Sequence, residues 1–170
     1  MGTHMKALFV AIDRSIELFV AAIFAGMVAV GSWQVFSRFV LNFTPSWSEE
    51  IQIFGHIWLV FLAIPIAYRR GAHITVEAIR RVMVPWMNKA LDLLIELLWA
   101  GFAIATAYYS YRVSLVTGAS VSPGLEIPMS YPYYGMILGS AYLLFVVIRR
   151  LAGELPPADP DQLPPEVTTP

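Results

Sequence analysis

Four long apolar runs, almost free of charge, constrain this chain more than any other feature. No charged residue occurs from Leu18 to Ser37. At about 1.5 Å of rise per helical residue, such a run crosses a hydrocarbon core about 30 Å thick. Three further runs of similar length follow. Because lipid offers no partners to backbone amides, these runs predict membrane-spanning helices.

The predicted fold is all-α, a polytopic membrane protein with four transmembrane helices in a domain of residues 6–151. The expected spans are residues 14–41, 47–69, 88–116 and 127–150. A short amphipathic arm helix, residues 73–84, is expected between the second and third spans. It lies either in the inner headgroup layer or against a partner protein.

The two ends of the chain are expected to lie outside this domain. Residues 1–5 resemble a vector remnant, so Met5 is the expected start and His4 takes no part in chemistry. Residues 152–170 are rich in proline and are predicted to form a disordered cytoplasmic tail.

Basic residues fall mainly on one side of the predicted spans. Cytoplasmic loops retain Lys and Arg, whereas short translocated loops are depleted in them. Only Arg38 and Arg112 lie toward the opposite side. Both termini are therefore expected in the cytoplasm, with loops 42–48 and 117–126 outside. The nine residues on the basic side are Lys6, Arg14, Arg69, Arg70, Arg80, Arg81, Lys89, Arg149 and Arg150.

Composition and motifs exclude several classes of function. The net charge of -1 and the low charged fraction of 14% provide no basic face for nucleic acid. The absence of cysteine removes thiol catalysis and cysteine-ligated metal centres. No phosphate-binding loop, zinc helix or nucleophile elbow occurs in the sequence. We therefore expect a protein that is not an enzyme and that holds neither a cofactor nor a catalytic metal.

Acidic residues open the second span. Ser46 and Glu49 have the spacing of a capping box. Glu49 is thus either a helix cap or a contact for a partner. Glu50 could pair with Arg38, with Arg112 or with a second protein at the outer surface.

Two ionisable residues lie deeper within apolar helices. His56 is expected near the bilayer centre, either as a neutral hydrogen-bonding residue at a helix interface or in a functional role. It has no second histidine at similar depth, which disfavours haem ligation. Glu96 lies within the third span, and we hypothesise that it contacts His56.

The order of several motifs resembles the small permease, or Q, subunit of tripartite ATP-independent periplasmic (TRAP) transporters. These motifs are Arg38, then Trp47-Ser48-Glu49-Glu50, Trp58, and the segment Arg69-Arg70-Gly71-Ala72-His73-Ile74-Thr75-Val76-Glu77. The resemblance extends over roughly Ile12 to Arg150.

The resemblance implies a scaffold in a bacterial inner membrane. Its partners would be a large elevator-type membrane subunit (M), which binds sodium, a periplasmic substrate-binding protein (P) that delivers an organic acid, and membrane lipids. Candidate residues for outer docking or pairing are Arg38, Trp47, Glu49, Glu50 and Glu126. Candidates for contact with another subunit or with lipid are His56, Trp58, Arg69, His73, Arg80, Arg81 and Glu96.

Two rival interpretations stay open. A self-contained, dimeric, proton-coupled transporter would use Glu17 or Glu96 as an intramembrane carboxylate. A membrane enzyme or electron-transfer anchor would carry a visible cofactor.

Overall fold

The computed structural model describes residues 2–70 and 84–153. Four helices account for most of them: α1 (Gly2–Val40), α2 (Ser46–Arg69), α3 (Pro85–Thr117) and α4 (Tyr131–Leu151). Each helix is long and apolar enough to cross a membrane, which confirms the predicted all-α fold with four spans. The expected arm helix lies outside the described residues, except for Val84, which precedes α3 in an extended conformation.

Two helix boundaries, the starts of α1 and α4, differ by four residues or more from those expected. α1 has 39 residues, and at about 1.5 Å per residue it is about 58 Å long, so it extends well beyond a bilayer core. α4 begins at Tyr131, four residues after the predicted start of its span. The preceding backbone pairs across a hairpin instead, because the Ser122 amide donates to the Ile127 carbonyl at 2.9 Å and Val121 bridges Pro128.

The helices pack in the order α1, α2, α4, α3, so the last helix of the chain lies between the second and the third. In α4, 44% of the most apolar window is buried, whereas none of the corresponding window in α1 is buried. α4 is therefore the central helix, and α1 is an outer helix with most of its surface open. The buried core contains Tyr68, Ala103, Tyr142, Leu143, Val146 and Val147.

Glycines allow α4 to approach α2 closely. A Cβ atom on Gly139 would lie 2.4 Å from the carbonyl oxygen of Phe61. That carbonyl lacks its usual helical donor, because the residue four positions later is Pro65, which has no amide hydrogen. The proline and the glycine thus meet at one point of the contact, where only a residue without a side chain fits.

A polar contact ties α1 to α2 between the two ends of the bundle. The Gln52 side chain donates to the Met27 carbonyl at 2.7 Å. It lies against Gly31, where a Cβ atom would come within 2.9 Å of the Gln52 amide nitrogen. This contact separates two ends of the bundle. We call the end with Asp13, Arg69 and Arg149 the basic end. We call the opposite end, with the connections 41–45 and 118–130, the loop end.

Candidate interaction sites at the two ends of the bundle

At the basic end, the Asp13 carboxylate of α1 accepts three hydrogen bonds from two other helices. Arg69 of α2 donates at 2.7 Å, and Arg149 of α4 donates at 3.1 Å. The hydroxyl of Tyr142, also in α4, donates at 2.7 Å. Only 5% of the Asp13 side chain is exposed. Because a buried carboxylate is costly without hydrogen-bonding partners, these contacts fix α1 against α2 and α4.

Glu17 lies one helical turn after Asp13 and therefore on the same face of α1. Its carboxylate contacts the guanidinium groups of Arg69 and Arg70, the latter at 3.0 Å. Arg69 thus bridges both acidic residues of α1, and only 19% of its side chain is exposed. Its described partners lie within the chain, whereas the sequence suggested a lipid or subunit contact.

A further ion pair at the same end joins α3 to α4. The Glu96 carboxylate lies 3.5 Å from Arg150 of α4. The Arg150 guanidinium also lies over the Tyr68 ring of α2, 4.4 Å from the ring centroid, and donates to the Tyr68 carbonyl at 3.3 Å. Through Arg150, α3 is joined to both α4 and α2.

The hypothesis of a contact between Glu96 and His56 is wrong. His56 is exposed on α2 and precedes Tyr68 by twelve residues, which at about 1.5 Å per residue places it about 18 Å nearer the loop end. Glu96 instead lies against Arg150, which also contacts Tyr68. The role of His56 as a subunit or lipid contact stays a prediction.

Together these residues form what we call the charge cluster: Asp13, Glu17, Arg69, Arg70, Glu96, Arg149 and Arg150. It contains three carboxylates and four guanidinium groups and involves all four helices. Glu17 and Glu96, the carboxylates that a proton-coupled transporter would use, lie against arginines of the same chain. The arrangement thus has an evident structural use in joining the helices.

The roles of Asp13 and Tyr142 were not predicted from the sequence, and Arg149 and Arg150 were assigned only to membrane orientation. A weak signal was present, because Asp13 and Glu17 lie on one helical face and both fall at the basic side of the first span. Their partners are 52 to 136 residues away along the chain. Such distant pairings carry no local pattern.

At the loop end, Glu50 binds a loop and not another charged side chain. Its two carboxylate oxygens accept hydrogen bonds from the consecutive backbone amides of Gly124 and Leu125, at 2.8 and 2.7 Å. The expected pairing with Arg38 or Arg112 is therefore not what holds Glu50. Arg112 lies near the Tyr108 hydroxyl at 3.4 Å, and Arg38 is exposed.

The predicted capping box does not form. α2 begins with Pro45 as its N-cap, and no side chain makes a capping hydrogen bond there. Ser46 is consequently already inside the helix. The hydroxyl of Ser48 donates to the Pro45 carbonyl at 2.7 Å. Glu49 is exposed, which leaves its role as a partner contact a prediction.

Trp58 has contacts within the chain that its assignment to a subunit or lipid contact did not foresee. Its indole nitrogen donates to the Tyr131 carbonyl at 3.0 Å, at the start of α4. A Cβ atom on Gly135 would lie 2.6 Å from the indole ring, and Phe19 of α1 packs edge-on against it. Trp58 therefore fixes the first turn of α4 against α2.

The remaining candidates are placed more simply. Trp47 is partly exposed and Glu126 is exposed, and both belong to the loop end. Glu126 has a φ of 55°, and its amide donates to the Ser122 carbonyl at 3.1 Å. The positions of His73, Arg80 and Arg81 lie outside the described residues.

An apolar groove of about 340 Å³ lies between α1 and α2. Glu17 and Arg70 lie at its polar end, and apolar residues such as Phe24, Leu59 and Ile66 form its walls. The groove is more open than enclosed.

Comparison with known proteins places this architecture in a family of membrane transporters. Residues 27–156 match the family model described as tripartite ATP-independent periplasmic transporters, DctQ component. A putative TRAP transporter small permease protein of Haemophilus influenzae is 23% identical over 150 residues, which cover 86% of this chain and 91% of that protein.

Two further relatives differ in length. The sialic acid TRAP transporter small permease protein SiaQ of Vibrio cholerae is 23% identical over 155 residues, which cover 87% of this chain and 86% of that protein. The isethionate TRAP transporter permease protein DctMQ of Oleidesulfovibrio alaskensis is 25% identical over 118 residues, 64% of this chain but only 18% of that protein. The chain spans about a fifth of the length of some of the curated relatives it matches. Because the family model covers most of the sequence, the chain belongs to the DctQ, or small permease, family of TRAP transporter subunits.

Proposed function

We propose that this chain is a non-catalytic scaffold in a sodium-coupled TRAP transporter. It braces a large elevator-type M subunit in the bacterial inner membrane. It also helps to dock a periplasmic P protein that delivers an organic acid. Sodium and the solute bind to the partner subunit.

The charge cluster is the observation that carries this proposal. Its carboxylates and guanidinium groups pair with one another across all four helices. They therefore have a use in holding the helices in fixed positions. An elevator mechanism requires one part that stays fixed while another part slides against it. A bundle tied at its basic end in this way is suited to the fixed part.

The surface of the bundle supports a large membrane partner. α1 has no buried residue in its most apolar window, and α3 has few. Large side chains such as Phe24, Trp33 and Phe36 of α1 are exposed. These faces offer apolar area to another membrane protein or to lipid. The DctMQ relative, of which this chain would cover only 18%, suggests that a similar segment occurs within a longer permease protein.

The proposed solute class and orientation have separate supports. Sialic acid and isethionate, named for two relatives, are both organic acids, which favours that class for this chain. The nine basic residues on one side favour cytoplasmic termini. The loop end would then face the periplasm, where a soluble binding protein can reach the hairpin 118–130.

Purification of the tagged full-length chain from its native host in a gentle detergent tests this proposal. Mass spectrometry of the complex should identify one much larger polytopic membrane protein in stoichiometric amount. Recovery of the chain by itself, stable and self-associated, would contradict the proposal and favour the dimeric transporter.

A further inference from the structure

Two acidic residues, Glu49 and Glu50, lie in the first turns of α2. Glu49 is exposed, whereas Glu50 makes hydrogen bonds within the chain. Both of its oxygens accept hydrogen bonds from adjacent backbone amides, those of Gly124 and Leu125. Hydrogen bonds to a charged acceptor are stronger than those between neutral groups. Two of them on consecutive amides define both the position and the orientation of the loop backbone.

The loop that Glu50 holds is a short hairpin with its own internal bonds. The Ser122 amide donates to the Ile127 carbonyl, and the Met129 amide donates to the Ser120 carbonyl, each at 2.9 Å. These bonds shape the base of the hairpin. Gly124 and Leu125 form its tip, which the Glu50 carboxylate attaches to α2.

Close packing at Gly124 reinforces this attachment. A Cβ atom at that position would lie 2.9 Å from the backbone carbon of Ser46 and 2.9 Å from the backbone nitrogen of Trp47. The tip therefore rests directly on the first turn of α2. Side chains on the hairpin, including Val121 and Glu126, are exposed.

We propose that Glu50 is a positioning residue, whose carboxylate holds hairpin 118–130 in one conformation and so preforms the surface that binds the soluble binding protein. This inference rests on the proposed function. Glu50 itself makes no contact with the partner. A preformed loop loses less conformational freedom on binding. Glu50 should therefore affect the affinity for the binding protein and not the maximal rate of uptake.

Two variants separate positioning from charge. Glu50→Gln removes the charge and replaces one of the two acceptor oxygens with an NH2 group, which cannot accept a hydrogen bond. Gly124→Ala leaves every charge in place but pushes the tip away from the backbone of α2. Glu49→Gln is the matched control for hydrogen exchange, because it removes an equal charge from the adjacent, exposed position.

Hydrogen exchange of the full-length chain in nanodiscs measures the attachment directly. We expect faster exchange of Gly124 and Leu125 in Glu50→Gln and in Gly124→Ala, and unchanged exchange in Glu49→Gln. Unchanged exchange in Glu50→Gln would overturn the inference.

Uptake by the complete reconstituted transporter measures the consequence. Both variants should raise the concentration of binding protein required for half-maximal uptake, on the order of tenfold, which corresponds to about 1.4 kcal/mol, while the maximal rate stays the same. An effect of Glu50→Gln without a matching effect of Gly124→Ala would assign Glu50 a direct electrostatic contact and overturn the positioning role. An unchanged half-saturating concentration in both variants would also overturn the positioning role.

If the unmodified complex shows no uptake that depends on a binding protein, the proposed function fails and the docking role fails with it. The exchange data would still report whether the attachment of the hairpin to Glu50 exists.

Discussion

The two ends of this bundle use charged residues in different ways. At the basic end, carboxylates and arginines from all four helices pair with one another through their side chains. At the loop end, the Glu50 carboxylate binds backbone amides of a connecting hairpin. The first arrangement fixes the helices relative to each other, and the second fixes a loop relative to one helix.

The difference follows from what each end has to join. Long arginine side chains reach across the spaces between helices, and their planar guanidinium groups contact several acceptors at once. Arg149 also packs its guanidinium over the rings of Phe9 and Phe145. A loop tip brings bare backbone amides close to a helix, and one carboxylate is sufficient to satisfy two of them. We therefore expect changes at the basic end to affect the whole bundle and changes at the loop end to stay local.

Replacement of Asp13 with alanine should give the largest effect. Arg69, Arg149 and Tyr142 would all lose a partner at a site where the side chain is 5% exposed. Removal of one member of a buried ion pair typically costs about 3–5 kcal/mol. We expect a loss of this order in the free energy of unfolding, measured by tryptophan fluorescence in mixed micelles.

The control for this variant is Glu49→Ala, which removes a carboxylate from an exposed position. It should change the unfolding free energy by no more than a few tenths of a kcal/mol. Tyr142→Phe, which removes one of the three donors to Asp13, should fall between the two. Equal stability of Asp13→Ala and Glu49→Ala would remove the basis for treating the ends as different.

Gly139→Ala probes the contact between α2 and α4, which lies midway between the two ends of the bundle. The added methyl group would meet the Phe61 carbonyl at 2.4 Å, so α2 and α4 would have to separate. Overpacking of this kind typically costs about 1–3 kcal/mol. Gly101→Ala is the matched control, because a Cβ atom there has nothing within 4 Å. If Gly139→Ala were as stable as Gly101→Ala, the close approach of α2 and α4 would be refuted.

Gln52→Met should have the smallest effect. It keeps the length of the side chain but removes the hydrogen bond to the Met27 carbonyl. Hydrogen bonds between helices inside membranes contribute about 0.6 kcal/mol on average, and we expect a loss of that order. Thr117→Val, which removes a bond within α3, serves as the control and should be nearly neutral. A loss of several kcal/mol in Gln52→Met would mean that α1 is held mainly in its middle, contrary to the comparison of the two ends.

The four spans could be predicted because lipid imposes a simple physical requirement. A backbone in hydrocarbon must satisfy its own hydrogen bonds, and the resulting helices need about 20 apolar residues. The order of motifs around Trp47 and Arg69 was enough to indicate the family, which the family model confirms. These are local properties, and a single sequence displays them.

The contacts between helices could not be predicted in the same way. Asp13 and Arg149 are 136 residues apart in sequence, and either one alone looks like an ordinary charge at a membrane boundary. The meeting of Pro65 with Gly139 depends on the depth and rotation of two helices. The expected capping box does not form, because Pro45 and not Ser46 occupies the N-cap position. Glu50 was expected to pair with Arg38, with Arg112 or with a second protein, whereas its two oxygens accept hydrogen bonds from backbone amides of the hairpin.

Uptake by reconstituted liposomes distinguishes a scaffold subunit from a self-contained transporter. The preparations to compare contain this chain alone, the large membrane subunit with the binding protein, and all three components together, each with an inward sodium gradient. We expect sodium-dependent uptake of an organic acid only when all three are present, and no solute or proton flux from this chain alone. Transport by this chain alone, abolished in Glu17→Gln or Glu96→Gln, would contradict the scaffold function and identify the chain as a transporter in its own right.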